Sequence, residues 1–243
     1  MRESMGQVDA GIVVVPTYQE REALPRFLDV LGPTGFQALV VDDGSPDGTA
    51  DWADEYARDH PWLHLLRREA KEGLGSAYRA GFAWCLERGY GVVGQMDADL
   101  SHPPEALERM RQELERGADL VIGSRFVRGG RTVGWPWWRT MQSYAASLPA
   151  RLLLRLRAVD VTGGFKLWRA DALRRIEVST TVSQGYVFQI ETTHRAVRAG
   201  LKVVEVPITF REREVGASKL TPAVRREGIA VVLRLARDPW RPR

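Results

Sequence analysis

The stretch "GVVGQMDADLSHPP", residues 91–104, opens as a Val-rich apolar run, closes that run with Asp97 and Asp99, and then supplies turn residues. A short apolar run bounded by turn formers reads as a strand buried on both faces. Four more runs share the form: "GIVVVPTYQE" (11–20), "ALVVDDGS" (38–45), "LHLLR" (63–67) and "DLVIGS" (119–124). Helix-like stretches lie between them, over about 19–31, 49–59, 75–88 and 104–116. Units alternating at this length predict an α/β domain built on an open, mostly parallel, doubly wound sheet flanked by helices. Ligands of such sheets gather beyond the carboxyl ends of the strands. Asp97 and Asp99 fall at one such end, and a second acidic pair, Asp42 and Asp43, falls at another.

Side chains two positions apart on an extended segment face the same way, so Asp97 and Asp99 can converge on one point. Two carboxylates that close require a cation between them or a shared proton. Hard carboxylate oxygens suit Mg²⁺ or Mn²⁺, which takes one or two of them and completes its shell with water and substrate phosphates. A metal-bridged diphosphate is the guest this chemistry predicts; the plain alternative is two solvated turn residues. At the end of the first strand, Pro16 withholds a ladder donor, and Thr17 with Glu20 has the spacing of a helix capping box. In "VVDDGSPDGT" the second acidic pair sits among turn formers, where a carboxylate can accept hydrogen bonds from a ribose hydroxyl or a base N–H.

With 243 residues, the chain is expected to fold as one large domain with a tail. Cys85 is the single cysteine, which rules out an internal disulfide and predicts a reducing, cytoplasmic setting. No run approaches the roughly 18 uninterrupted apolar residues of a bilayer span, so any membrane contact is expected to be peripheral. A net charge of +4 fits an acidic partner: nucleic acid, anionic lipid or a phosphorylated substrate. Acidic pairs at two strand ends would repel a nucleic-acid backbone, and no nucleic-acid partner is expected.

Beyond residue 125 the pattern is less regular, with no internal repeat and no low-complexity linker. "GWPWWRT" (134–140) reads as a loop, in which Trp135, Trp137 and Trp138 suit either a lipid-facing lip or the core. A helix-like "LPARLLLRLRA" (148–158) and "GGFKLW" (163–168) precede a helical 187–200 and a strand 201–212. This half is expected to complete the domain and close over the ligand. The tail opens with Thr221 as N-cap and Pro222 at the first helical position. On its wheel Val224, Val231, Val232 and Leu235 oppose Arg225, Arg226 and Arg237, a helix for an anionic bilayer, for a membrane partner, or for its own domain. The expected boundaries are an extension at 1–10, the sheet domain at 11–220 and the tail at 221–243.

Taken in order, "VVVPTYQE", "VVDDGSPDGTA", "KEGLGSAYRAGF", "QMDADLSHPPE" and "GSRFVRGG" resemble the inverting nucleotide-sugar glycosyltransferases of the Rossmann-like GT-A fold. "GGRTVGWPWWRTMQS", "DVTGGFKLW", "GYVFQIETTHRA" and "EVPITFREREVGASKL" narrow the resemblance to the dolichol-phosphate or polyprenol-phosphate mannose synthase branch, over about residues 11–220. The resemblance implies that Pro16, Tyr18, Glu20, Asp42 and Asp43 hold the nucleoside. Asp97, Asp99 and Ser101 match its metal and diphosphate shelf. Arg125, Arg139, Arg213 and Lys219 match cations that gather the acceptor phosphate and the donor diphosphate, and guanidinium forks grip phosphate bidentately. Gln189 and Glu191 match positions near the transferred sugar. Asp160 reads either as a further sugar or acceptor contact or as a turn cap, and His102, before two prolines, either as a further functional residue or as a plain turn residue.

The activity so implied is transfer of mannose from GDP-mannose to a polyprenyl phosphate, with inversion, at the cytosolic face of a membrane, with a membrane-spanning partner subunit as a possible associate. A phosphate monoester has its second pKa near ~6 and is largely dianionic at neutral pH, so the acceptor needs no strong base. Its difficulty is repulsion, which the cations offset. The same chemistry with UDP-glucose is the nearest rival. A nucleotidyltransferase would carry a Gly-rich, basic phosphate loop after the first strand, which "VVVPTYQE" lacks. A non-catalytic nucleotide-sugar or nucleic-acid binder is the alternative outside enzymology.

Overall fold

Along β1 (Ile12–Thr17) successive side chains go to opposite sides of the sheet, and the two sides build two cores. Ile12 and Val14 join one buried cluster; Val13 and Val15 join the other. In β2 (Gln37–Asp42) Leu39 and Val41 divide from Ala38 and Val40 in the same way. The computed structural model describes residues 11–212, 222–237 and 240–241. With β3 (Leu63–Arg67), β4 (Val92–Gln95), β5 (Leu120–Ser124), β7 (Lys166–Arg169) and β8 (Val203–Pro207), these strands form one sheet in the order β3-β2-β1-β4-β7-β5-β8. β7 alone runs antiparallel to its neighbours, β4 and β5. A separate parallel pair, β6 (Arg131–Val133) and β9 (Thr209–Arg211), stands beside the main sheet.

Helices α1 (Ala23–Leu31), α2 (Thr49–Asp59) and α4 (Ala106–Glu115) cover one face through Leu24, Phe27, Ala53, Leu107 and Met110. The other face carries α3 (Leu74–Glu87), α5 (Trp137–Leu154), α6 (Ala170–Arg175), α7 (Val187–Arg198) and α8 (Pro222–Arg237). Tyr78 stacks on both Phe82 and Phe188 at 5.7 Å between ring centroids, which ties α3 to α7. Each such buried ring contributes roughly 1.5–3 kcal/mol by leaving water. Gly81 lets α3 sit directly on β1, since a Cβ there would lie 2.4 Å from Val14 Cγ1.

Several local expectations are corrected. Thr17 is the last residue of β1 rather than a cap; its hydroxyl donates to Asp42 Oδ2 at 2.9 Å, and α1 begins at Ala23 without a side-chain cap. The Trp-rich segment is a loop only over residues 134–136. Pro136 adopts an extended conformation and releases the chain into α5, which runs from Trp137 through Pro149. "GGFKLW" supplies β7, whose short run gave no periodicity to read. The expected strand at 201–212 is two, because Ile208 gives its N–H to Ser124 while the chain passes from β5's edge to β6. Val232 and Leu235 of α8 are buried in the domain's own core, and α8 packs on α5 and α7. No helix among the described residues is long and apolar enough to cross a membrane.

One buried group makes stability pH-dependent. His194 of α7 is buried with neither ring nitrogen hydrogen-bonded. Burial first, then the charges of Arg198 and Arg195, push its pKa down to about 4, against the pull of Glu191. The unfolded chain therefore takes up a proton near the ordinary histidine value of 6.5 that the folded chain refuses until about 4. Stability is complete above that range and is lost as pH falls through it. Melting temperature against pH should drop less steeply across this window in His194→Leu than in the wild type.

Candidate active site

Parallel pairing of β1 with both β2 and β4 brings three strand ends to one edge, at the point where the strand order turns back on itself. A cleft of about 240 Å³ opens there. Pro16, Tyr18 and Glu20 line it from the end of β1, Asp43 from β2, Lys71, Gly73 and Leu74 from the approach to α3, and Asp97 and Asp99 from β4.

The acid shelf is a tight turn. Leu100 takes a left-handed conformation (φ 59°), and Asp99 Oδ1 accepts the Ser101 N–H at 3.0 Å. His102 Nδ1 accepts the Asp97 N–H at 3.3 Å, which places the ring proton on Nε2. The ring is held by Phe165 and Phe210, at centroid distances of 5.4 and 5.7 Å. His102 is thus a support of Asp97 and more than a turn residue. Burial raises the Tyr78 hydroxyl pKa well above its ordinary value, and the charges of Asp97 and then Asp99 add to it. The described residues contain no cluster of three or more His, Cys, Asp or Glu able to hold a metal alone. Two hard carboxylates with the buried Ser101 fit a divalent ion that draws its remaining ligands from a substrate diphosphate.

The second acidic pair divides its work. Asp42 is buried and accepts from Thr17 Oγ1, from Ser45 N (2.9 Å) and from Ser45 Oγ (2.6 Å), so it fixes the β1 and β2 ends and does not line the cleft. Asp43 faces the cleft, 2.5 Å from Arg68 Nη1. Burial raises its carboxyl pKa despite the opposing pull of Arg68.

Arg125 forms a fork on Asp160, with Nε 2.7 Å from Oδ2 and Nη2 2.6 Å from Oδ1. Asp160 is fully buried, and its own N–H donates to Glu205. Its carboxylate is therefore the counter-charge of Arg125, and the sugar-contact and turn-cap readings give way to that. Arg139 pairs with Glu212 and lies 4.4 Å over the Trp135 ring, which Arg125 also approaches at 5.9 Å. Trp135 gathers the two arginines; Trp137 and Trp138 are exposed, at 78% and 55%. The Arg211 N–H donates to the Ser101 carbonyl at 3.1 Å, so the strand after this cation cluster is stitched to the acid shelf. Arg213, Lys219 and the cap Thr221 lie outside the described residues.

Gln189 is buried beside the shelf and accepts from Gln95 Nε2 at 2.6 Å. Glu191 turns the other way: it accepts from Arg195 Nη2 (2.8 Å) and from the N–H groups of Val182 and Ser183. That loop in turn supplies Gln184 Oε1 to the Ser76 N–H at the start of α3, so Glu191 props the cleft wall from behind. Sequence reasoning missed Lys71, whose Nζ stands 3.7 Å over the Tyr18 ring, and Arg68. Both fall in or beside the "KEGLGSAYRAGF" segment, where a cation ahead of glycines was the available signal.

The profile of glycosyl transferase family 2 matches residues 12–177. This chain belongs to that family. It is 50% identical over 225 residues to an undecaprenyl-phosphate mannosyltransferase of Micrococcus luteus, covering 92% of each chain. It is 48% identical over 221 residues to a polyprenol monophosphomannose synthase of Mycolicibacterium smegmatis, covering 90% of this chain and 83% of that one. Among solved structures, a glucosyl-3-phosphoglycerate synthase of Mycobacterium tuberculosis with Mn²⁺ and UDP-glucose superposes with a TM-score of 0.72 at 20% identity, over 95% of this chain and 80% of that one. A Pyrobaculum calidifontis mannosyltransferase with GDP-mannose and Mn²⁺ gives 0.65 at 19%, over 96% and 66%. The GT-A sheet and its flanking helices are thus the family's fold. Within it, Asp160→Ala would leave the Arg125 guanidinium buried without its counter-charge. Urea denaturation should then show a loss of about 3–5 kcal/mol, the usual cost of breaking a buried pair from one side.

Proposed function

We propose that this member of the family transfers mannose from GDP-mannose to a polyprenyl phosphate, with inversion at the sugar carbon, at the cytoplasmic face of a membrane. The observation that carries this reading is the joining of two sites: an acid shelf that suits a metal-bound diphosphate, and a cation cluster that suits a second phosphate, linked through Ser101 and Arg211. The names of the two relatives near half identity support the sugar and the lipid acceptor, and the GDP-mannose held by the Pyrobaculum neighbour supports the donor.

In this reading Pro16, Tyr18, Glu20 and Asp43, which line the cleft, hold the nucleoside, with Asp42 fixing the loop behind them. Asp97 and Asp99, with Ser101, would hold Mg²⁺ or Mn²⁺, which when bound neutralises charge on the departing diphosphate. Arg125 and Arg139, oriented by Asp160, Glu212 and Trp135, steady the acceptor dianion against the donor's negative charge, a task shared in this reading by Arg213 and Lys219. An acceptor phosphate oxygen forms the new bond to the anomeric carbon as the bond from that carbon to the diphosphate oxygen breaks. GDP leaves, and no proton has to be removed from the nucleophile.

The lipid reading has its own support. The outer face of α5 presents Trp137, Trp138, Met141, Ala145, Pro149, Leu152 and Leu153 to solvent, interrupted only by Gln142 among its polar residues. An apolar stripe with tryptophans at one end matches a bilayer interface. Exposed Arg234 and Arg237 on α8 add charge that suits anionic lipid.

Incubation with labelled GDP-mannose, a polyprenyl phosphate and Mn²⁺ should carry label into the lipid phase, and labelled UDP-glucose should not. Label arriving only from UDP-glucose would overturn the donor assignment. Asp97→Asn and Asp99→Asn should each lower transfer by at least about 100-fold, the rate equivalent of several kcal/mol of lost charge stabilisation.

A further inference from the structure

A chain of buried polar side chains runs through the sheet toward Asp97. Trp168 of β7 donates its indole N–H to Gln95 Oε1 at 3.1 Å, and Gln95, at the end of β4, donates Nε2 to Gln189 Oε1 at 2.6 Å. Trp168 and Gln95 are fully buried and Gln189 nearly so. An amide's oxygen and nitrogen are ordinarily assigned from their surroundings. Here the surroundings leave one choice, because an indole nitrogen is a donor and has no lone pair to accept with. The Gln95 oxygen must face Trp168, its NH₂ must face Gln189, and Gln189 must answer with its oxygen.

The group that Gln189 has left is its NH₂. A Cβ placed on Gly164 would lie 3.4 Å from His102 Cε1 and 3.7 Å from both Gln189 Nε2 and Asp97 Oδ2, so the amide donor and the carboxylate border the same space beside Gly164. The backbone of Gln189 is held too: Lys166 Nζ donates to its carbonyl at 2.6 Å and to the hydroxyls of Thr193 and Thr192.

We propose that Trp168 and Gln95 are positioning residues that turn the Gln189 carboxamide donor-first toward Asp97, where its NH₂ binds an acceptor oxygen on the group being transferred. The inference rests on the sugar-transfer reading above and extends it to two residues that touch no substrate. A site with oriented donors selects for an oxygen at that place, because a guest lacking it leaves a buried NH₂ unanswered.

The test compares affinity for the nucleotide sugar with affinity for its nucleoside diphosphate, by calorimetry with Mn²⁺, alongside melting temperature, kcat and KM. Gln189→Glu, of equal size but without donors, should weaken GDP-mannose relative to GDP by about 10-fold, the equivalent of one lost hydrogen bond. Gln95→Met, of similar size but without the amide, should show the same loss of about 10-fold for GDP-mannose relative to GDP, a ratio that loosened packing alone would not move. Equal weakening of GDP and GDP-mannose in every variant, or wild-type affinity in Gln189→Glu, would overturn the proposal. A wild type that binds UDP-glucose in place of GDP-mannose would instead overturn the donor assigned above, and the same comparison with UDP-glucose and UDP would still decide this one.

Discussion

Like charges brought to one edge of a sheet are the constraint around which this molecule is arranged. β1 pairs with β2 on one side and β4 on the other, so the acids that end these strands meet whether or not repulsion favours it. Each is handled differently. Asp42 accepts from hydroxyl and N–H donors, Asp43 pairs with Arg68, and Asp97 and Asp99 line the cleft wall, where a divalent ion and a diphosphate would suit them. Holding acids there costs stability, and such charge is what a divalent ion would require of the site.

The same logic governs the cations. Arg125 and Arg139 are each held by an acid and an aromatic face, an arrangement that removes freedom before any substrate arrives. A guanidinium already held by one carboxylate keeps its plane fixed, so binding a phosphate costs it little further entropy. The supports stand one layer back: Glu205 behind Asp160, Phe165 and Phe210 around His102, and Arg195 behind Glu191.

The cleft was open to sequence reading because its residues are local. Pro16, Tyr18 and Glu20 follow one strand within five positions, and the two aspartates of the shelf lie one residue apart, so strand periodicity alone aims them. The cation cluster was harder. Asp160 and Arg125 are separated by 35 positions, and nothing in "VDVTGGF" distinguishes a counter-ion from a sugar ligand. Trp135 could not be separated from Trp137 and Trp138, because the distinction depends on which of them meets two arginines and which meets solvent. β7 escaped notice for a related reason: four residues carry too little pattern to mark a strand.

What the amino-acid order determined by itself was the alternation of apolar runs and helices, hence a mostly parallel sheet with acids at its carboxyl edge, and, through its motifs, a resemblance to a family of enzymes. Tertiary structure decided which acid faces the cleft and which braces it, and the direction in which Gln189 presents its amide. Periodicity is written within a few neighbouring residues, whereas a hydrogen-bond partner or a counter-charge comes from a distant strand and becomes known only when the chain has folded.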